Sequence, residues 1–319
     1  MAAPYIDTTA LANLVQAAYD RKVRLALRLA PKFRDAINVN VVDQTAPGSS
    51  VTLNIHKNLA KAITPLNEIT EPAGTTIGNT TPVVVTLNEY GNYSVVTRAL
   101  RAFALDNDLD GNLANILAYN IVDSVDTVIE TIFAAGTQYM SEIAGVRTLS
   151  GAAASVTATD LLLSRDIRYA VTKLRGAGVP TFDGENYLCY LHPDVALDLR
   201  QETGLVGWVY PQVYNSALQA KGILAGEIGT FNNVRFVETP RCSRAASGVA
   251  GAYVYQTYVF GADAAVEALV EDFHIVVNGV VVDPLNRKMT MGWYGIAGWA
   301  LFRPESLWRI QTSSSVATS

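Results

Sequence analysis

The sequence has few of the residues from which catalytic and metal sites are commonly built. Its 319 residues include three histidines and two cysteines, and only 17% of the residues are charged. Cys189 and Cys242 stand far apart and match neither a disulfide framework nor a zinc-ligand spacing, so we expect two reduced, buried thiols. The histidines are also isolated from one another. His192, which directly precedes Pro193, is expected to cap a helix or to make a buried hydrogen bond.

The motifs of the common enzyme classes are missing as well. There is no H-E-x-x-H zinc motif, no G-x-S-x-G nucleophile elbow and no Gly-Lys dipeptide of the kind that a Walker A loop requires. "GAGVPT", which begins at Gly176, has Thr181 where a dinucleotide fingerprint has its last glycine. In "GEIG", from Gly226 to Gly229, the inner Glu227 would face phosphates with the wrong charge. We therefore expect no catalytic residues and no cofactor.

Long hydrophobic runs are absent too. One of the two longest uncharged runs, from Ala245 to Ala262, contains glycines and polar residues and alternates valine with tyrosine, which is typical of a strand and not of a membrane span. The first residues show neither the basic leader nor the apolar centre of a signal peptide. We expect synthesis in the cytoplasm and no membrane contact.

The charge is modestly acidic but unevenly distributed. A net charge of −5 argues against a protein that coats nucleic acid with its whole surface. Residues 1–60 nevertheless hold seven Lys and Arg against four Asp and Glu. A partly amphipathic helix is predicted over residues 8–34, and Arg21, Arg24 and Arg28 share one of its faces. This face is either an ordinary solvated surface or a basic surface that meets DNA or an acidic partner.

Two stretches of contrasting character follow. Residues 50–98 are rich in Thr, Val and Asn and are predicted to be extended, with a Pro/Gly/Thr tip from Glu71 to Pro82. A two-stranded projection of this kind has little core of its own and needs another surface. A long amphipathic helix is then predicted from about Asp106 to Gly136. Its apolar stripe includes Ile121, Val125, Val128 and Ile132, and Asp123, Asp126 and Glu130 are predicted to lie on the opposite, polar side.

The start of this helix contains a possible cation motif. "DNDLDG" places Asp106, Asp108 and Asp110 at the first three acidic positions of a calcium loop. The twelfth position, however, is Leu117 instead of a bidentate glutamate, and acidic residues are favoured at any helix start. Helix capping is the favoured interpretation, and a bound cation stays open as the alternative.

The remaining pattern predicts an α+β protein. A second helix is predicted from the Thr157–Asp160 pair, which resembles a capping box, to Gly176. A buried strand follows at Tyr187–Leu191, then a helix at Pro193. Later residues are mostly strand-like, Asn232-Asn233 suits a turn, and Asn278-Gly279 predicts a type I′ hairpin turn. Since the strands are grouped late and do not alternate with helices, the class is α+β.

Three passages carry a family resemblance. "KLRGAGVPTFDGENYLCYLHPDVALDLR", "GEIGTFNNVRFVETP" and "DPLNRKMTMGWYGIAGWALFRPESLWRI" occur in this order. They resemble the helix-loop-strand-HP-helix passage, the GxIGxxxxVRFVET hairpin and the closing Asp-Pro segment of major capsid proteins of tailed double-stranded DNA bacteriophages. The resemblance covers nearly the whole chain.

The resemblance implies the Hong Kong 97-type capsid fold. Residues 1–49 would form the N-terminal arm, residues 50–98 the extended loop, and residues 99–179 the peripheral domain with its spine helix. Residues 180–262 would form the axial domain, and residues 263–319 would return to the peripheral domain and end in a tail. Arg21, Arg24 and Arg28 would then be a possible basic face toward the lumen.

The implied function is that of a shell subunit. Copies would assemble as hexamers and pentamers into an icosahedral capsid that encloses double-stranded DNA without reading its sequence. Scaffolding, portal and decoration proteins would be possible partners, and the chain would end in the virion after assembly in the bacterial cytoplasm. Two alternatives stay open: an encapsulin, which is a protein compartment of the same fold, and a hydrolase or binding domain with an unrecognised site.

Overall fold

The computed structural model describes most of the chain. The described residues are 32–41, 48–56, 59–63, 65–66, 68–69, 74, 76, 78, 80–103, 109–202, 227–279, 285 and 287–318. The helices are α1 (Arg98–Phe103), α2 (Leu109–Ala134), α3 (Ser164–Gly176) and α4 (Pro193–Gln201). The strands are β1 (Asn38–Val41), β2 (Ser50–Ile55), β3 (Thr81–Thr86), β4 (Asn88–Thr97), β5 (Tyr139–Ile143), β6 (Val146–Leu149), β7 (Tyr187–Leu191), β8 (Glu227–Phe231), β9 (Val234–Glu238), β10 (Arg244–Ala245), β11 (Val254–Phe260), β12 (Ala265–Gly279), β13 (Lys288–Leu301) and β14 (Leu307–Thr312).

The chain divides into two compact units. The smaller one comprises the described residues within Asn92–Asn120 and Ile275–Trp293. Its buried apolar side chains are Val96, Leu117, Met291 and Trp293. The larger unit comprises the described residues within Ala30–Gly91, Ile121–His274 and Tyr294–Ser319.

An eight-stranded mixed sheet forms the centre of the larger unit. Seven strands lie in the order β6-β5-β14-β11-β7-β9-β8, and β10 pairs with β11 at one end. One face packs against α3 and α4 through residues such as Ile167 and Leu199. The other face packs against α2 through Val125, Ile129 and Phe133. Two hydrophobic cores therefore lie on the two faces of one sheet.

Strand β7 shows how this arrangement follows from the sequence. All five of its residues are buried. Side chains of a strand alternate between faces, so Cys189 joins the core under α3 and α4 while Leu188 and Tyr190 join the core under α2. A strand covered on both sides needs an uninterrupted apolar run, and the predicted buried strand at Tyr187–Leu191 is confirmed.

Two smaller sheets complete the fold. A four-stranded sheet has the order β1-β12-β13-β4, with β1 parallel to β12. The antiparallel pair β2–β3 runs in register from Ser50 opposite Thr86 to Ile55 opposite Thr81. The β2–β3 pair confirms the two strand-like runs that flank the Pro/Gly/Thr tip.

The passage "GEIGTFNNVRFVETP" is a hairpin formed by β8 and β9. Its two-residue turn is Asn232–Asn233, with φ of 50° and 61°. Both residues are left-handed, as a type I′ turn requires, and asparagine tolerates this conformation better than other side chains do. Gly229 lies at a register shift in the β8–β9 ladder and has φ of 144°. Residues with a side chain rarely adopt this backbone angle, so glycine is favoured here. The predicted turn at these asparagines is confirmed.

Two local predictions were wrong. Helix α3 begins at Ser164, not at Thr157, because the Asp160 carboxylate holds the Thr157 backbone N–H (2.7 Å) and the Gly145 N–H (2.9 Å) in a turn. The helix itself is capped at Leu163, whose backbone N–H donates to Asp166 (3.2 Å).

The second error concerns the late hairpin. Asn278 and Gly279 are the last residues of β12, so the predicted two-residue turn does not occur there. Strands β12 and β13 are neighbours in their sheet, and β13 begins at Lys288. The two strands do pair, but Asn278 and Gly279 belong to β12 itself and not to the connection between the strands.

Candidate assembly surfaces

Large apolar side chains are exposed in the segment between β2 and β3. Ile63 is 85% exposed and Leu66 is 77% exposed, and Leu59 and Ile69 are also largely exposed. Single exposed apolar residues are common, but four within eleven positions are typical of a surface that meets another molecule. We call residues 59–69 the apolar segment.

The strands that carry this segment are anchored firmly at their base. Val85 of β3 is fully buried among Val266 and Ala268 of β12, with Val51 packed beside it. Gly298 lies so close to the Thr86 carbonyl oxygen that a Cβ at this position would stand 2.3 Å from it. The base of the β2–β3 pair therefore belongs to the core of the larger unit, while the apolar segment does not.

Helix α2 has buried carboxylates on the side that the sequence predicted to be polar. Asp126 is completely buried, and its two oxygens accept hydrogen bonds from three consecutive backbone N–H groups, those of Lys32 (3.3 Å), Phe33 (2.6 Å) and Arg34 (3.2 Å). Burial raises the pKa of Asp126, and the three donors oppose that rise. The carboxylate thus fixes residues 32–34 against α2.

Glu130, one turn further along α2, holds a second segment. It accepts hydrogen bonds from the Tyr258 hydroxyl (2.5 Å) and from the Ser243 backbone N–H (3.1 Å). Burial raises the pKa of Glu130. Arg241 also pairs with Asp123 on the same helix. The prediction that all three acidic residues face away from the core was therefore wrong for Asp126 and Glu130, because α2 is covered by loops as well as by the sheet.

A buried ion pair reinforces the same region. Arg34 donates to both carboxylate oxygens of Glu267 in β12, at 3.1 and 2.7 Å, and the Glu267 side chain is fully buried. A two-point arginine–carboxylate contact fixes orientation as well as distance. Phe33 adds edge-to-face contacts with Phe133 and Tyr190 at ring-centroid distances of 5.7 and 5.0 Å. Residues 32–36 are thus a rigid anchor.

The smaller unit has its own polar contact. The Asn120 side-chain oxygen in α2 accepts hydrogen bonds from the Trp293 indole N–H (2.9 Å) and from the Asn92 side-chain amide (3.3 Å). The contact ties α2 to β13 and β4 through side chains, in addition to the pairing of β13 with β4 in the sheet. Trp293 is nearly buried, so its indole N–H requires such an acceptor.

The residues named as site candidates from the sequence are mostly beyond what the structure describes. Arg21, Arg24, Arg28, Asp106 and Asp108 lie outside the described residues. Asp110 is the second residue of α2. Within the described ranges, no three acidic, histidine or cysteine side chains are grouped so as to hold a metal ion.

His192 and the two cysteines are structural, as expected. The His192 ring accepts a hydrogen bond at Nδ1 from the Asp194 backbone N–H (3.2 Å) and so caps α4. Burial lowers the pKa of His192, which keeps Nδ1 free to accept. Cys189 and Cys242 are free thiols in the interior. No described helix is both long and apolar enough to span a bilayer.

The solved structures that are similar to this chain include several phage capsids. The capsid of Ralstonia phage GP4 is 16% identical in sequence to this chain and superposes with a TM-score of 0.73. The match covers 98% of this chain and 99% of the GP4 chain. The capsid of cyanophage P-SCSP1u is 17% identical at a TM-score of 0.70, with 95% and 94% covered. The acidic stable capsid of Helicobacter pylori bacteriophage KHP30 is 11% identical in sequence and superposes with a TM-score of 0.69. The match covers 97% of this chain and 99% of that chain. At these identities the likeness shows the fold.

The family follows from the sequence itself, whose residues 12–307 match the model described as Phage capsid protein. The chain belongs to the phage capsid protein family. No curated protein is significantly similar to it. The expected tailed-phage capsid fold and the role as a major capsid protein are confirmed. In a capsid protein the exposed apolar segment is the natural candidate for contacts between subunits, while the β2–β3 base and residues 32–36 hold their segments to the core.

Proposed function

We propose that copies of this capsid protein assemble as hexamers and pentamers into an icosahedral shell around double-stranded DNA. The observation that carries this proposal is the apolar segment, which is exposed in the single chain although its flanking strands are anchored in the core. Burying one large aliphatic side chain contributes about 1.5–3 kcal/mol. Several such side chains, covered by a neighbouring subunit, would supply much of a lateral contact.

In this proposal each region of the chain has its own role in the shell. Residues 1–49 act as an arm, residues 50–98 as the loop that lies across a neighbour, and residues 99–179 and 263–319 as the peripheral domain. Residues 180–262 act as the axial domain. The protein performs no catalysis, and its role is mechanical. Arg21, Arg24 and Arg28 would offer a basic face to the enclosed DNA, or to a scaffolding protein during assembly.

The partners follow from the same role. The main partner is the chain itself, and portal, scaffolding and decoration proteins would meet the shell at defined places. Assembly would take place in the host cytoplasm, and the finished protein would be found in the virion. The net negative charge favours this use, because a container that must release DNA should not bind phosphates over its whole inner face.

Electron microscopy of the purified chain tests the proposal, with and without a scaffolding protein. Icosahedral or tubular particles are expected. Ile63→Asp should abolish or strongly reduce particles, since a charge cannot be buried in the contact, whereas Thr76→Asp places the same charge at an exposed polar position of the same loop and should assemble. A chain that stays monomeric under every assembly condition would contradict the proposal. Native particles filled with protein instead of DNA would indicate an encapsulin.

A further inference from the structure

A groove lies between α3 and the strands β6 and β14 of the central sheet. We call it the α3 groove, and its volume is about 780 Å³, which is typical of a binding pocket. Its apolar side chains come from Leu149 of β6, Tyr169 of α3 and Trp308 of β14. Leu149 is 51% exposed, and Tyr169 meets Trp308 edge to face at a ring-centroid distance of 6.1 Å. The single chain therefore leaves apolar groups of this groove in contact with solvent.

The groove is long enough for a stretch of chain. A second groove of about 760 Å³ shares Ala177 and Glu305 with the first and reaches the β2–β3 base at Ile55 and Thr81. The two grooves together form one continuous channel in the larger unit. A channel of this form suits an extended segment better than a small molecule.

Two exposed side chains of opposite charge line the α3 groove. Lys173 Nζ lies 5.3 Å from the centroid of the Tyr169 ring. Glu305 is in the short turn that precedes β14. An occupant with one positive and one negative side chain would be attracted at both places, and the two charges would fix its orientation.

The apolar segment carries the complementary side chains. Lys61 precedes Ile63 and Leu66, and Glu68 follows them. All four side chains are exposed, Ile63 at 85% and Leu66 at 77%, so the segment does not occupy the groove of its own chain. One subunit thus carries both an uncovered apolar segment and an uncovered apolar groove, at different places on its surface.

We propose that the apolar segment of one copy binds in the α3 groove of a neighbouring copy, with Ile63 and Leu66 against the groove's aromatic side chains. Lys61 then faces Glu305, and Glu68 faces Lys173. Because the segment and the groove are different surfaces, the contact is head-to-tail, and repeated contacts of this kind can close into rings. The contact rests on the proposed shell function, since hexamers and pentamers are such rings.

Crosslinking between two single-cysteine chains tests the contact. Chains with Ile63→Cys and chains with Leu149→Cys are mixed, assembled and treated with a short bis-maleimide, and mass spectrometry of the digest should find residue 63 linked to residue 149. Mixing ensures that this link joins two copies. The native Cys189 and Cys242 are 0% and 2% exposed and should not react. In the control, Leu197→Cys replaces Leu149→Cys, since Leu197 is 42% exposed on α4 outside the groove, and it should give no link.

Charge reversal gives an independent measurement. Lys61→Glu and Glu305→Lys each place like charges opposite each other, so each should lower the particle yield measured by sedimentation. The double variant restores an opposite pair and should recover the yield. Glu185→Lys reverses an exposed carboxylate outside the groove and should assemble like the unmodified protein. Circular dichroism should show every variant folded.

The contact is overturned if particles form without a link between residues 63 and 149, or if the control at residue 197 links equally well. It is also overturned if the double charge reversal assembles no better than the single variants. In these cases the unmodified chain still forms particles, so the shell function stands while this contact fails. If the unmodified chain forms no particles, the shell function fails and the contact fails with it.

Discussion

Asp126 lies in the middle of α2, yet its carboxylate caps a different part of the chain. Three backbone N–H groups of residues 32–34 converge on it in the interior, where water cannot replace it. Without the carboxylate these donors would be buried and unpaired, and each would keep its desolvation cost. One side chain therefore determines whether residues 32–36 stay docked.

Asp126→Ala is expected to lower the free energy of unfolding by about 3 kcal/mol, because it leaves several buried donors unsatisfied. Urea denaturation followed by circular dichroism measures the change. Asp123→Asn, three residues earlier on the same helix, removes a partly exposed pairing with Arg241 and should cost less than about 1 kcal/mol. Equal losses from the two variants would show that the converging N–H groups are not what makes Asp126 important.

At the scale of elements, local turn residues set the position of some elements, and contacts with distant segments set the position of others. The β8–β9 hairpin turns at its two asparagines, as the sequence predicts. A two-residue turn needs two residues with left-handed backbone angles, and this depends only on the residues of the turn itself. Helix α3, by contrast, begins seven residues after its capping signal, since Asp160 binds the Gly145 N–H of the β5–β6 turn with one oxygen and holds Thr157 in a turn with the other. A local signal fails when a distant segment offers its side chain a better partner.

The hairpin makes a clean test of the local rule. Asn232 has φ of 50°, where a β-branched residue is strongly disfavoured, so Asn232→Val should destabilise the protein by about 1–2 kcal/mol. Asn232→Gly should leave the stability within about 0.5 kcal/mol, because glycine adopts this conformation freely. The difference in denaturation midpoint between the two variants is the measurement. If valine and glycine give the same midpoint, the left-handed turn is not what holds this hairpin.

For the whole molecule, the structure separates the parts that fold the subunit from the parts that remain exposed. The sheet of the larger unit is covered on both faces, and the base of the β2–β3 pair is packed into the core. The apolar segment between those strands is exposed. In a capsid protein this division lets the subunit fold first and associate afterwards.

Deleting residues 59–69, the apolar segment, therefore should leave the subunit folded while impairing assembly. The deletion spares Thr81 and Pro82, which pair with Ile55 and Asn54 in the β2–β3 ladder. The denaturation midpoint should stay within error of the unmodified protein, and particle yield measured by sedimentation should fall sharply. A lower midpoint would place the deleted loop in the folding core and would contradict the proposed use of residues 50–98.

The sequence by itself determined the kind of protein and most of its local structure. The ordered motifs identified the capsid family, and the patterns of residues close in sequence placed α2, β7, the β2–β3 pair and the asparagine turn, because such patterns depend on neighbours within a few positions. Only the tertiary structure decided which face of α2 is buried and where α3 begins. These outcomes depend on partners that lie far away in sequence, such as residues 32–34 for Asp126, and no local pattern records which distant segment will satisfy a buried charge.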